Sequence, residues 1–250
     1  MKIVERTLTQ EKDGVGGHIS YPEHEEPLPA VMLLHSVTGR IGYLKLEARK
    51  LAKLGYACFV PSLYPLLGAP AVPNIELGAE IQRGKSDAEF NGAIDQCWDV
   101  LTRQDFVDPT RIGVGGYCMG SRLAILYIAE RPQVAAFIGY YPTVHDEART
   151  ELRQTMPWEA ATRMRCPSIV FYAAKDNVTT VPIQLRMMQA FIDNGQPVDW
   201  HFFGVGGHGF LDPDSNNYNP YPAELAWPLL VEFLDRTLAD PVREPAAASR

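Results

Sequence analysis

The amino-acid sequence predicts an α/β protein with a mostly parallel central sheet and helices on both faces. Short, nearly continuous apolar runs recur along the chain, as expected for strands covered on both sides. Segments with helical apolar spacing separate them, so successive strands pair in parallel through crossovers. The 250 residues, 46% hydrophobic and 21% charged, suit one such domain and not a disordered or fibrous chain. We expect that domain over residues 1–239. The remainder, 240–250 (DPVREPAAASR), has too little apolar content to pack and is expected to fray.

The elements follow in order. Ala30 to His35 (AVMLLH) reads as the first core strand, and Tyr43 to Leu54 as a helix ending at Gly55. Tyr56 to Pro61 is the next strand. Phe90, Ala93, Ile94, Cys97, Trp98 and Leu101 form one helical stripe. Arg111 to Tyr117 is a strand, and Met119 to Glu130 an apolar helix stopped by Pro132. Val134 to Tyr140 and Ser168 to Ala173 are strands, Pro182 to Asp193 a helix closed by Asn194-Gly195, and Val198 to Phe203 the last core strand. A final helix spans about Pro222 to Leu238, with Pro228 either kinking it or delaying its start.

A net charge of −7 without a basic block argues against nucleic acid and anionic membrane as partners. No run approaches the ~18 apolar residues of a membrane span, and no apolar run follows the first residues as a signal peptide requires. Cys58, Cys97, Cys118 and Cys166 form no CxxC pair, so neither a metal centre nor a disulfide framework is expected. The reading is a cytoplasmic protein with reduced thiols, monomer or homodimer.

Ligands of such sheets bind beyond the carboxyl ends of the strands. There the sequence places Gly116-Tyr117-Cys118-Met119-Gly120 between a strand and an apolar helix. This is the pattern of a nucleophile elbow with cysteine as the nucleophile. Small residues flank the sharp turn, and the helix N-terminus favours a thiolate. Cys58, Cys97 and Cys166 lie in apolar settings and read as core residues. A thiol nucleophile needs a base and an orienter. His208, in Gly206-Gly207-His208-Gly209-Phe210, follows the last core strand, and Asp176 follows the strand before it. Asp176 also suits a turn or the N-cap of the next helix, and His208 a glycine loop without a task. The order nucleophile, acid, histidine is that of α/β-hydrolases. Among the other histidines, His18 and His24 fall in an N-terminal polar stretch, His145 in a surface loop and His201 in a strand. His35 closes the first core strand, where it lines the pocket or anchors the loop. Backbone N–H groups of Met119 and Val37 are the candidate oxyanion donors, with Gly39 and Gly42 letting the second loop turn.

These residues resemble the dienelactone hydrolase family, over about Val31 to Leu238. The resemblance rests on the Gly-Tyr-Cys-Met-Gly elbow, the stretch from Gly55 to Tyr64 (GYACFVPSLY), Asp176 and Gly-His-Gly-Phe. It implies the α/β-hydrolase fold and a Cys118–His208–Asp176 triad that hydrolyses esters or lactones (carboxymethylenebutenolidase-type activity) without metal or cofactor. Two positions depart from the family. Ser36 stands where its best-known members carry a glutamate beside the thiol. Asp212 stands near the place of an arginine that holds the substrate carboxylate. Arg83 matches a second such arginine loosely and also reads as a solvated surface residue. Substrate-binding candidates are therefore His35, Ser36, Tyr64, Arg83 and Tyr141, with Tyr140 and Trp158 as further aromatic walls. The competing readings are a non-catalytic small-ligand-binding protein on the same fold and a thiol redox protein, the latter lacking a resolving cysteine nearby.

Overall fold

A computed structural model describes residues 2–71 and 74–239; the tail from residue 240 lies outside them. Its elements are β1 (Ile3–Leu8), α1 (Gln10–Asp13), β2 (Gly17–Pro22), β3 (Leu28–Leu34), α2 (Gly42–Ala52), β4 (Ala57–Pro61), α3 (Leu63–Leu66), α4 (Ile75–Gly84), α5 (Asp87–Thr102), β5 (Val107–Tyr117), α6 (Met119–Ile128), β6 (Ala136–Tyr140), α7 (Pro157–Ala161), β7 (Ser168–Ala173), α8 (Val181–Asn194), β8 (Val198–Phe203) and α9 (Pro220–Thr237). The strands form one sheet in the order β1-β2-β4-β3-β5-β6-β7-β8. From β4 to β8 the pairing is parallel, while β1 and β2 pair antiparallel at one edge. This is the α/β-hydrolase architecture.

The apolar runs became the central strands because both sheet faces are covered. Every residue of β4, β6 and β7 is buried. The polar N-terminal stretch is a correction to the sequence reading. It forms the edge strand β1 and its neighbour β2, and His18 is buried in β2 with its Nε2 2.9 Å from Ser20 Oγ. β1 is paired on one side only and leaves polar side chains exposed, while β2 buries a histidine and a serine that bond each other. Their signature is therefore not an apolar run.

Chain order reverses beside β3, since β4 lies on one side of it and β5 on the other. The loops leaving β3 and β5 thus diverge and open a crevice at the carboxyl edge. Helix α6 is buried along its whole length behind that crevice. Helix α5 starts with a capping box: Glu89 N–H donates to Ser86 Oγ at 3.1 Å and Ser86 N–H to Glu89 Oε2 at 2.8 Å. Helix α9 runs through Pro228 without ending. It is tied to the start of β4 by Tyr56, whose hydroxyl donates to Asp235 Oδ1 at 2.7 Å. No helix among the described residues is long and apolar enough to cross a membrane.

Helices α5 and α6 are joined by an ion pair. Arg122, 5% exposed, holds Asp87 with two bonds of 2.8 and 3.2 Å, and Arg153 lies 3.3 Å from the same carboxylate. Removing one partner of such a pair leaves a buried charge uncompensated. Asp87→Ala is expected to lower the unfolding free energy in urea by about 3–5 kcal/mol; a loss below ~1 kcal/mol would contradict this.

Candidate active site

The site begins with a backbone that the sequence forces into an unfavourable shape. Cys118 has φ 55° and ψ −115°, a region L-residues rarely enter and one costing about 1–3 kcal/mol. Neighbouring glycines make the turn sterically feasible. A Cβ on Gly120 would lie 2.3 Å from Leu34 O, and one on Gly116 would lie 2.7 Å from Leu34 O and from the Gly120 carbonyl carbon. Hydrogen bonds then hold the turn. Cys118 N–H donates to Tyr140 O at 3.0 Å, and Cys118 O accepts from Arg122 N–H and Thr143 N–H, both at 3.2 Å. The buried Ser121 hydroxyl donates to Gly116 O and accepts from Tyr140 N–H at 2.9 Å, linking β5 to β6 at the elbow.

The loops after β7 and β8 bring Asp176 and His208 to this turn. Asp176 is 5% exposed. Its Oδ1 accepts from Val178 N–H and Thr179 N–H, both at 2.8 Å, and its Oδ2 lies 2.9 Å from His208 Nδ1. Both carboxylate oxygens are thus engaged, which fixes Nδ1 as the protonated ring nitrogen and turns Nε2 toward the elbow. The imidazole and the Cys118 sulfur are electrostatic neighbours, each shifting the other's pKa. Thr143 Oγ1 sits beside both, 3.0 Å from Cys118 Sγ and 3.4 Å from His208 Nε2.

The electrostatics favour an ion pair. Burial opposes a thiolate at Cys118, but hydrogen bonding to His208, its positive charge, the Thr143 hydroxyl and Met119 N–H outweigh it, and the thiol pKa falls below its usual value. Burial likewise opposes an imidazolium at His208, and Asp176 together with the Cys118 sulfur raises its pKa instead. The other three thiols are buried and pushed upward by desolvation, Cys166 to about 12.

The remaining candidates separate. His35 is wholly buried; its Nδ1 donates to Ser36 O at 2.8 Å and its Nε2 accepts from Leu63 N–H at 3.1 Å. Desolvation holds it neutral, with a pKa near 4. It anchors the loop and has no free ring nitrogen for a ligand, which corrects the expectation that it contacts substrate. Ser36 Oγ pairs with Thr38 Oγ1 at 2.9 Å. Ser36 O is taken by His35 and by Gly39 N–H at 3.0 Å. The Val37 N–H, trans to that carbonyl, therefore points away from both. Tyr64 is buried beneath this loop, donating to Val37 O at 2.7 Å. Tyr141, φ 40°, meets the His208 ring edge-on at 5.1 Å.

Arg83 is exposed in the last turn of α4, where a cation complements the helix dipole. Trp158 lies under the Arg186 guanidinium, 3.8 Å from it, on a groove that includes none of Cys118, Asp176 and His208. It packs α7 against α8 and is not a wall of the site. Asp212 is partly buried and accepts from Asp214 N–H at 2.8 Å, and desolvation raises its pKa.

Two functional-looking groups escaped the sequence reading. Thr143 follows a strand end, but threonine is ordinary there. Glu47 falls on the buried stripe of α2 with Tyr43, Leu44, Ala48 and Leu51, a carboxylate in an apolar face that could have been noticed. It accepts from the Tyr117 hydroxyl and, at 2.7 Å, from the Tyr140 hydroxyl, and burial raises its pKa. With Tyr43, Tyr117, Tyr140 and Trp227 it lines a cleft of about 460 Å³ that Cys118, Asp176 and His208 do not line. Tyr140 faces this cleft. Among the described residues no cluster of three or more His, Cys, Asp or Glu side chains could hold a metal ion.

The model of the dienelactone hydrolase family matches residues 15–238. A protein of Methylorubrum extorquens, named provisionally as a carboxymethylenebutenolidase, is 26% identical over 225 residues, covering 89% of this chain and 77% of its own. One of Yersinia pestis with the same provisional name is 26% identical over 234 residues, covering 92% and 86%. Among solved structures, a provisionally named dienelactone hydrolase from Klebsiella pneumoniae superposes with a TM-score of 0.85 at 22% identity, over 94% of this chain and 100% of its own.

Limited treatment with iodoacetamide at neutral pH is expected to modify Cys118 first, with Cys58, Cys97 and Cys166 unlabelled in the peptide map. The rate should persist below the pH at which an ordinary thiol of pKa ~8.5 loses reactivity. Preferential labelling of a buried cysteine, or an ordinary thiol profile at Cys118, would contradict the assigned electrostatics.

Proposed function

The chain belongs to the dienelactone hydrolase family, and from that membership and the geometry at the elbow we propose that it is a cysteine-dependent hydrolase of activated esters or lactones. The observation that carries this is the convergence of three loops on one point: the 2.9 Å bond from Asp176 to His208 Nδ1, with Thr143 Oγ1 between His208 Nε2 and Cys118 Sγ at 3.4 and 3.0 Å. Cys118 attacks the carbonyl as a thiolate, and Asp176 holds the imidazole in the tautomer that can take the thiol proton. Met119 N–H and Val37 N–H receive the developing oxyanion; one such donor is worth about 2.7–4 kcal/mol in comparable sites. His208 then protonates the leaving group and activates the water that hydrolyses the acyl-thioenzyme. The strained backbone at Cys118 supports turnover over simple ligand binding, because a binding site gains nothing from holding a thiol in that conformation.

The sulfur nucleophile limits the substrate. A tetrahedral intermediate expels its weaker base, and a thiolate is a far weaker base than an alkoxide. Attack on a simple alkyl ester therefore reverts, whereas an enolate, phenolate or thiolate leaves in competition with Cys118. Enol-lactones, aryl esters and thioesters fit. Substrate-side contacts from Ser36 and Tyr141 belong to this proposal; Arg83, His35 and Tyr64, the last wholly buried with its hydroxyl on Val37 O, do not.

For one acyl group, kcat/KM on an aryl ester is expected to exceed that on an alkyl ester by at least about tenfold, ~1.4 kcal/mol of barrier. Cys118→Ala should abolish both, and His208→Ala should lower kcat/KM by about 10²–10⁴. Alkyl esters turned over as fast as aryl esters, or full activity in Cys118→Ala, would overturn the proposal.

A further inference from the structure

We propose that Thr143 is a further member of the catalytic machinery: its hydroxyl bridges Cys118 and His208, conducts the thiol proton to the imidazole and then donates to the thiolate. The inference rests on Cys118 being the nucleophile and His208 its base.

The geometry is specific. Thr143 Oγ1 is 3.0 Å from Cys118 Sγ and 3.4 Å from His208 Nε2, and among the described residues its hydroxyl has these two partners. A hydroxyl carries one proton and two acceptor lone pairs, so it can accept from one group while donating to the other. With a neutral thiol, Sγ–H donates to Oγ1 and Oγ1–H donates to Nε2. On ionisation the S–H bond breaks and its proton bonds to Oγ1, while the original hydroxyl proton moves to Nε2. The result is a thiolate, an imidazolium and an intact hydroxyl, with both hydrogen bonds reversed in direction. When the thiolate is later expelled from the acyl-enzyme, the same hydroxyl meets it as a donor.

The surroundings hold Thr143 at this point. The residue is 5% exposed, and its own N–H donates to Cys118 O at 3.2 Å. Pro142 O accepts from the Tyr172 hydroxyl and from Thr179 Oγ1, both at 2.9 Å, and Val144 N–H donates to Thr179 Oγ1 at 2.9 Å. Thr179 is also a backbone donor to Asp176. One residue therefore positions both the orienting carboxylate and the bridging hydroxyl. Two residues upstream, Tyr141 takes φ 40° as the chain turns out of β6. β-Branching restricts the Thr143 side chain further.

The test compares Thr143→Val, which keeps the shape and removes the hydroxyl, with Thr143→Ser, which restores it. The readouts are the pH profile of Cys118 alkylation by iodoacetamide and kcat/KM on an aryl ester. In T143V the alkylation midpoint is expected to rise by about one pH unit, a tenfold weaker ionisation. Its kcat/KM should fall at least about tenfold through kcat, with KM unchanged. T143S should stay within about threefold of wild type in both. If T143V does not fold, Thr143→Ala removes the same hydroxyl without adding a methyl group to the site, and the same shifts are expected. A wild-type profile and kcat/KM in the hydroxyl-free variant, or T143S as impaired as T143V, would overturn the bridge. Cys118→Ala in the same assay separates the two ideas. If C118A is inactive while T143V behaves as wild type, only the bridge fails; if C118A keeps its turnover, the nucleophile assignment fails.

Discussion

The site depends on holding Cys118 in a backbone conformation that L-residues avoid. Nothing local favours φ 55° at a cysteine, so the strain is balanced by its surroundings. Gly116 and Gly120 admit the Leu34 and His35 carbonyls at distances that any Cβ would forbid. Ser121 of α6 and the Tyr140 carbonyl of β6 clamp the turn. Because these partners come from β3, β5 and β6, the elbow forms only when the central sheet has formed. Sheet register and thiol position are one constraint. The reward is a sulfur at a helix N-terminus, clear of the sheet, where the Met119 N–H and the helix dipole favour negative charge.

Charge is the second organising principle. Burial alone would keep Cys118 a thiol and His208 an imidazole. Each group instead favours the other's charged form, lowering the thiol pKa and raising that of the imidazole, and Asp176 favours the imidazolium from behind. Asp176 in turn is held by two backbone N–H groups of the loop that leads into α8. Behind the elbow, Tyr117 and Tyr140 direct their hydroxyls at Glu47. That carboxylate is held by two phenol donors, and Lys50 on the same helix partly offsets the burial that raises its pKa.

Much of this was legible in the sequence, and the exceptions have physical reasons. The central strands announced themselves as apolar runs because both faces are buried, and Ser168 to Ala173 matches β7 to the residue; Val198 to Phe203 matches β8 to the residue too, although β8 is a half-buried edge strand and not a core one. Strands β1 and β2 did not announce themselves, because β1 is a half-exposed edge strand and β2 buries the polar His18 and Ser20, which bond each other. Cys118, Asp176 and His208 could be picked out because each follows a strand and is marked by glycines or chain order. Their mutual distances could not. Thr143 carries no motif; only the folded loop shows its hydroxyl between Cys118 and His208. Arg83 and Trp158 carry only a loose family match and a residue type as signals, and the structure places one in solvent at the end of α4 and the other under Arg186.

The central claim is that the sulfur of Cys118 becomes acylated. The most direct measurement is rapid acid quench of the enzyme with an aryl ester, followed by intact-mass and peptide mass spectrometry. The account expects an adduct of the acyl mass on the peptide containing Cys118, formed as the phenol is released and decaying as the acid product appears. Turnover at full rate with an acyl adduct on another residue, or with none while Cys118 is demonstrably alkylated beforehand, would contradict it.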